Sequence, residues 1–285
     1  VTFSIVTPSW RSQVWLRLCL ASVADQQVPL EHLVHDACSD DGTLEWLPHD
    51  TRASTVSEPD RGMYDAVNRG LRRATGDITA YLNCDEQYLP GALSAVAAFF
   101  TTRPDIDVVF GDCLIVDAQG AYLCERQALI PTRLHSLVSG NLSFLTAGLF
   151  FRRRMLDAHD LYFNTDYRDL GDAEWTIRLV ASGVRMATLG MPTSIFTETG
   201  ANLSLSANAA RERDRLRHTA PAWARTATPA IVAAHRLRRW RAGHYQPQTR
   251  RYAIYTQASP NQRITCDVSQ PTALWRGRMA LIGPR

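Results

Sequence analysis

Between Ser57 and Asp85 the chain reads Ser-Glu-Pro-Asp-Arg-Gly-Met-Tyr-Asp-Ala-Val-Asn-Arg-Gly-Leu-Arg-Arg-Ala-Thr-Gly-Asp-Ile-Thr-Ala-Tyr-Leu-Asn-Cys-Asp. Acidic, amide and Arg side chains are gathered between two short apolar runs, where a nucleotide and a metal could sit. Arg suits phosphate oxygens because its planar fork bonds two at once. Carboxylates suit divalent cations, which prefer oxygen ligands.

The positioning elements can be read around this block. Ser54 to Ser57 is a short β-branched run ending before Pro59. Met63, Ala66, Val67, Gly70, Leu71 and Ala74 recur at helical spacing, with Gly76 as a stop. Ile78 to Leu82 reads as a buried strand that delivers Asn83 and Asp85 to its C-terminal end, the edge where open α/β sheets bind ligands. Upstream, Phe3 to Thr7 and Leu33 to Asp36 read as strands, Trp15 to Ala24 as a helix, and the polar turn at Ser39 to Thr43 opens another helix. Downstream come a helix at Gly91 to Phe100, strands at Val108 to Phe110 and Cys113 to Val116, and a turn at Asp117 to Gly120 leading into Ala121 to Ala128. Strands at Gly148 to Phe151 and Arg185 to Leu189 flank a helix at Ala173 to Ser182. This alternation implies a doubly wound, mostly parallel sheet.

Composition narrows the classes. The chain has 285 residues, 45% hydrophobic, without an apolar run near the ~20 residues of a membrane span. No charged segment followed by an apolar one marks a secretory signal. Six scattered cysteines lack zinc-finger or disulfide-framework spacing, so a reducing cytoplasm is expected. All 31 basic residues are Arg, which excludes Schiff-base and P-loop lysine mechanisms. The charge is divided: residues 206–285 carry 15 Arg against Glu212, Asp214 and Asp267, a net +12, leaving −9 for residues 1–205. The reading is therefore an acidic catalytic part over 1–205 joined to a basic extension over 206–285, with helices near Ala207 to His218 and Ala230 to Ala242.

Four segments in order, Ser4-Ile-Val-Thr-Pro-Ser9, Asp36-Ala-Cys-Ser-Asp-Asp-Gly-Thr43, Ser57 to Asp85, and Asp172-Ala-Glu-Trp-Thr-Ile-Arg178, make residues 3 to about 204 resemble a family 2 glycosyltransferase of the GT-A fold, of the bacterial polysaccharide and glycoconjugate type. The resemblance implies inverting, metal-dependent transfer of a sugar from a nucleotide-diphosphate donor, a UDP-sugar foremost, to an acceptor hydroxyl on a glycan or lipid-linked glycan. It assigns Asp36 to the base, with Pro8, Asp60, Arg61, Asn68 and Asn83 around the nucleotide sugar. Asn68 is read as structural or as lining the donor site. Asn83-Cys84-Asp85 stands where the family has Asp-x-Asp, leaving Asp85 to hold Mn2+ or Mg2+ with Glu86 as a possible second carboxylate, and no histidine stands between Thr197 and Asn202 to add a third ligand. Asp172 is the implied base, although Gly171 replaces the family's Glu and Glu174 competes for the role. Plainer roles stand beside these: caps for Asp36 and Asp172, a turn for Asp85, a surface loop for Arg61.

Trp10, Trp15 and Trp175 are expected to pack rather than hold sugar. Arg152-Arg-Arg154 could face an anionic acceptor or merely solvent. In the extension, Ile231, Ala234 and Leu237 form one apolar stripe among Arg residues, which suits either the inner face of an anionic membrane or packing on the catalytic part. No motif accompanies the charge that would indicate nucleic acid. The competing function is a non-catalytic sugar-nucleotide binding or scaffold module, suggested by Asn83 and Gly171. A nucleotidyltransferase is disfavoured because Thr7-Pro-Ser-Trp-Arg11 contains no glycine.

Overall fold

The computed structural model describes residues 1–200 and 206–275. The expected division after residue 205 adjoins 201–205, which lie outside the described residues, as do Ala201 and Asn202 of the third-ligand stretch and the last ten residues of the extension.

The elements follow in the order β1 (Phe3–Ser9), α1 (Gln13–Ala24), β2 (Leu30–Asp36), α2 (Thr43–Trp46), β3 (Ser54–Ser57), α3 (Met63–Arg73), β4 (Ile78–Tyr81), β5 (Glu86–Tyr88), α4 (Ala92–Thr102), β6 (Val108–Asp117) and β7 (Tyr122–Arg126). Then come α5 (Arg133–Ser139), β8 (Leu149–Arg152), α6 (Arg154–His159), α7 (Gly171–Ala181), β9 (Met186–Glu198), α8 (Ala207–His218), α9 (Ala222–Thr226), α10 (Thr228–Arg241) and the hairpin β10 (Arg250–Thr256) and β11 (Ser259–Val268). The main sheet runs β3-β2-β1-β4-β8-β6-β9-β5, with β7 branching from β6.

Alternation along β1 explains the layers. Phe3 and Ile5 enter one apolar cluster with Ile78, Leu93 and Phe100; Val6 enters the other, with Tyr64, Val67, Phe151 and Trp175. Burial on both faces is what a central strand of a helix-flanked sheet requires. The register brings Ser9 opposite Asp36 and Asp36 opposite Ser57, so three C-terminal strand ends form one row.

The sheet is mixed beyond β4. Strand β8 is antiparallel to both β4 and β6, and two reversals restore direction, so β6 points the same way as β4 and opens on the same edge. The two strands expected around residue 111 are one. Gly111 carries β6 through because β9 comes so close that a Cβ there would lie 2.2 Å from Thr193 Oγ1. Strand β9 extends to Glu198, well past the expected Leu189.

The segment after residue 205 shares apolar clusters with the sheet and its helices. Ala209 and Leu216 pack with Tyr167, Leu170 and Ala173; Ala220 and Ala224 with Leu137 and Val138; Tyr252, Ile254 and Val268 with Leu89, Leu114 and Ile195. Arg250 pairs with buried Glu125 at 3.0 Å and Arg263 with Asp25 at 2.6 Å. The extension thus contains both helices and a hairpin. Among the described residues no helix is long and apolar enough to cross a membrane.

Candidate active site

Of the expected site residues, Asp36, Asn83 and Asp85 lie at or just beyond C-terminal strand ends, Asp60 and Arg61 on the loop before α3, and Asp172 in the first turn of α7. Asp36 is fully buried at the end of β2, where Ser39 N–H (2.7 Å), Ser39 Oγ (2.7 Å) and Ser9 Oγ (2.9 Å) donate to its carboxylate. The cap role is therefore realised. A carboxylate has about four acceptor positions, so one remains unfilled. The following turn needs a left-handed residue, and Cys38 supplies it at φ 58°.

Pro8 ties β1 to the turn after β4, because its carbonyl accepts from Cys84 Sγ at 2.9 Å. That turn presents Asn83 and Asp85. Glu86 lies beneath it, fully buried, with Oε2 accepting the Asn83 N–H at 2.9 Å and Oε1 unpartnered; Asn83 Oδ1 is also buried without a partner. Glu86 is thereby a positioning residue for the turn that carries Asp85. Burial pushes the Asp85 carboxyl up to about 6, and burial with the neighbouring Asp85 charge pushes Glu86 up to about 8. Orphaned oxygens and confined carboxyls form a donor set that fits a hard divalent cation, with Asp85 as its charged member. Among the described residues no three His, Cys, Asp or Glu side chains converge as a complete metal cage. Phosphate oxygens and water would have to complete such a site.

These two carboxyls give the metal-free protein a stability that depends on pH. Between about pH 4 and 8 the folded state holds protons that the unfolded chain has lost, so stability falls as pH rises, by up to about 1.4 kcal/mol per unit for each group. Thermal melts of metal-free protein should show Tm declining from pH 5 to 8. Glu86→Gln should flatten the upper part of that slope; an unchanged slope would contradict the assignment.

On the loop before α3, Asp60 Oδ1 accepts from Gly62 N–H at 2.8 Å, and its other oxygen stands 4.0 Å from His35 Nε2. Asp65 accepts from Arg61 N–H at 3.1 Å and from Arg69 at 3.0 Å, which fixes the loop. The Arg61 side chain is 72% exposed, its guanidinium 3.6 Å from Asp65. Asn68 is turned elsewhere: its amide donates to Phe163 O and accepts from Phe163 N–H, both at 2.8 Å, locking α3 to the segment before α7. Both ends of its amide are used, as the structural alternative requires.

Asp172 occupies the first turn of α7, with Oδ1 accepting from Ala173 N–H at 2.7 Å. The Tyr64 hydroxyl also lies against it, raised well above its usual range by burial and then by the Asp172 charge, and that charge reaches Tyr81 and Glu86. The replacement of the family's Glu by Gly171 has a steric cause. A Cβ at Gly171 would lie 2.6 Å from the Tyr64 ring, which fills that space. Glu174 faces differently, two residues on around the helix. Arg178 bonds its carboxylate at 2.9 to 3.1 Å and also reaches the Asp160 and Tyr162 carbonyls.

Sequence reasoning passed over the residue that fixes the loop before Asp172. Glu212 of α8 accepts from the backbone N–H groups of Arg168, Asp169 and Leu170 at 2.7 to 3.0 Å. Ser206, the N-cap of α8, hydrogen-bonds Asp169 from the same side. Contacts over 42–44 residues leave no local signal, and the extension reads as basic. Charge-assisted bonds of this kind contribute about 1.5–3 kcal/mol each. Glu212→Ala should therefore lower stability by about 3 kcal/mol, read from denaturant melts; a change below about 0.5 kcal/mol would refute this role.

Other expectations resolve differently. Trp175 is core, its Nε1 donating to Leu161 O and its ring stacked 5.4 Å from Phe163. Arg152 bonds the Phe100 and Ile106 carbonyls, Arg153 the Gly76 carbonyl, and Arg154 pairs with Asp107, all at the opposite end of the sheet. Arg152 to Arg154 therefore do not face an acceptor at this edge, because β8 runs antiparallel and its C-terminus points away.

Comparison with known proteins gives the class to which this helix-flanked sheet belongs. Residues 4–160 match the model of glycosyl transferase family 2. A relative named "PGL/p-HBAD biosynthesis glycosyltransferase", from Mycobacterium bovis, is 30% identical over 187 residues, spanning 62% of this chain and 68% of its own. Poly(ribitol-phosphate) beta-N-acetylglucosaminyltransferase TarS of Staphylococcus aureus is 24% identical over 66% of this chain and 34% of its own. The crystal structure of residues 1–349 of S. aureus TarS with UDP-GlcNAc superposes with a TM-score of 0.61 at 19% identity, covering 85% of this chain and 73% of that one. A mannosyltransferase from Pyrobaculum calidifontis, crystallised with GDP-Man and Mn2+, gives 0.51 at 19% identity over 82% and 75%. The chain belongs to glycosyl transferase family 2 and is a glycosyltransferase.

Proposed function

We propose that the chain moves a sugar with inversion from a UDP-sugar to a hydroxyl of a glycan or lipid-linked glycan, in surface polysaccharide or glycoconjugate assembly. The observation that carries this is geometric: buried Asp36 ends β2, the Asn83–Asp85 turn held by Pro8 and Glu86 ends β4 beside it, and the charge of Asp172 in the first turn of α7 acts on Glu86 beneath that turn. Asp36 accepts from the base, Arg61 bonds the diphosphate, and Asn83 and Asp85 would hold Mn2+ or Mg2+. Such a cation, when bound, neutralises charge on the departing diphosphate. Asp172 takes the acceptor proton as the hydroxyl oxygen attacks the anomeric carbon from the face opposite UDP. The new C–O bond forms as the bond to the diphosphate breaks, which inverts configuration. The UDP-GlcNAc complex of TarS supports the donor class, and the Mn2+ complex of the mannosyltransferase supports the metal.

A cytoplasmic place at the inner membrane face is part of the same reading. Exposed Trp223, Leu237 and Trp240 beside Arg residues of α10 support it. The transfer reading is tested by NMR of the product from an α-linked UDP-sugar: a β-linked product is expected, and an α-linked product overturns inversion.

A further inference from the structure

Helix α10 buries polar side chains and exposes apolar ones. His235 (9% exposed) and Arg239 (5%) face inward, whereas Leu237 and Trp240 face out. Against that buried face lie His135 of α5 (5%) and His244 beyond α10 (8%), with Arg238 and Arg126 close enough for their charges to act on it. The His135 and His235 rings stack 3.7 Å apart. Burial, reinforced by the Arg charges, pushes His135 down to about 4, His235 to about 3 and His244 to about 4. Nδ1 of each of these three histidines and Nη1 of Arg238 and Arg239 are buried without partners.

Counter-charge is scarce: the buried Asp112 carboxyl acts on Arg239 but is itself pushed up to about 6 by burial, while Tyr245 hydrogen-bonds Arg239 and Arg238 donates to the Ile130 carbonyl at 3.0 Å. Among the described residues no ion pair involves Arg126, Arg238 or Arg239. The neighbouring Glu125 is paired with Arg250, and residues 201–205 and 276–285 contain no Asp or Glu. Buried cations and donors without acceptors are costly, and a multivalent oxyanion removes that cost. Arg126 stands opposite Cys113 in the β6–β7 register, next to Asp112, and only β8 separates β6 from β4.

Resting on the transferase reading above, we propose that Arg126, Arg238, Arg239 and the three histidines form a second anion site that binds a phosphoryl group of the acceptor. The donor diphosphate has its own residues on the other side of β8. The phosphoryl group could belong to a soluble phosphodiester glycan or to a lipid-linked phosphate; both present the same oxygens.

The test titrates inorganic pyrophosphate into intact protein saturated with UDP, by calorimetry and thermal melts. Binding of one pyrophosphate without displacement of UDP is expected, with a rise in Tm. Arg239→Met should weaken it at least about tenfold, as loss of a charge-assisted donor would, while leaving UDP affinity unchanged. In chloride buffer the same variant should melt close to wild type, since the buried charge it removes makes no ion pair among the described residues. Should it not fold, His235→Gln serves for the affinity arm. Pyrophosphate that binds only by displacing UDP, or as well to the variant as to wild type, overturns the site. Failure of UDP itself to bind would instead strike the transferase reading. Two further arms identify the source: vesicles containing polyprenyl phosphate, competed by pyrophosphate, and a soluble glycerophosphodiester. Binding of neither overturns the acceptor assignment.

Discussion

Asp172→Asn should lower turnover about 10³-fold while leaving UDP affinity within experimental scatter, which is the range that loss of a positioned general base produces. The amide keeps the size of the side chain and its acceptor for Ala173 N–H, so α7 should still form. What is lost is the proton acceptor. Glu174→Gln is the matched control. Its carboxylate is held by Arg178, whose remaining bonds go to the Asp160 and Tyr162 carbonyls, so turnover should stay near wild type with only a small stability loss. Steady-state kinetics on both variants decides the matter. Retained turnover in Asp172→Asn with loss in Glu174→Gln would transfer the base to Glu174 and leave Asp172 a structural residue of the first turn of α7.

The second large effect is expected at Asp85. It is the charged oxygen donor at the β4 edge, Glu86 below it being buried and committed to the Asn83 N–H. Asp85→Ala should weaken metal-dependent nucleotide binding by at least about 100-fold, since even the outer partners of a metal site cost 10- to 100-fold when removed. Metal-independent binding through Asp36 should persist. Equal nucleotide affinity in Asp85→Ala, with and without Mn2+, would refute Asp85 as the metal ligand. Asn83→Asp is the reverse experiment, because it restores a second carboxylate to the turn and should tighten metal binding.

Much of this site was legible because its residues sit where local patterns end. The runs at Phe3–Thr7, Leu33–Asp36, Ser54–Ser57 and Ile78–Leu82 became β1 to β4, and each hands a polar residue to the same edge. What escaped reading depends on distant partners. The direction of β8 follows from pairing, which a short apolar run cannot encode, so the end of the sheet that holds Arg152 to Arg154 was left open between acceptor and solvent. Gly190 and Pro192 masked the continuation of β9, which pairs with β6 on one side and β5 on the other. The hairpin β10–β11 was hidden by Pro260 and a mostly exposed second strand. Helix α10 was read by its apolar stripe of Ile231, Ala234 and Leu237. The structure instead turns it about its axis, burying His235 and Arg239, because the surface it covers is polar. Tyr64 and Glu212 were missed for the same reason: each acts on the segment around Asp172 from another element.

The account rests most directly on a metal-dependent uridine nucleotide site. Calorimetric titration of UDP, GDP, dTDP and CDP into the intact protein, each with and without Mn2+ or Mg2+, tests it without knowledge of the acceptor. UDP should bind with one-to-one stoichiometry, more tightly with metal than without and more tightly than the other three. Binding of none of the four under any metal condition would contradict the claim that this chain is a nucleotide-sugar transferase at the edge formed by Asp36, Asp85 and Asp172.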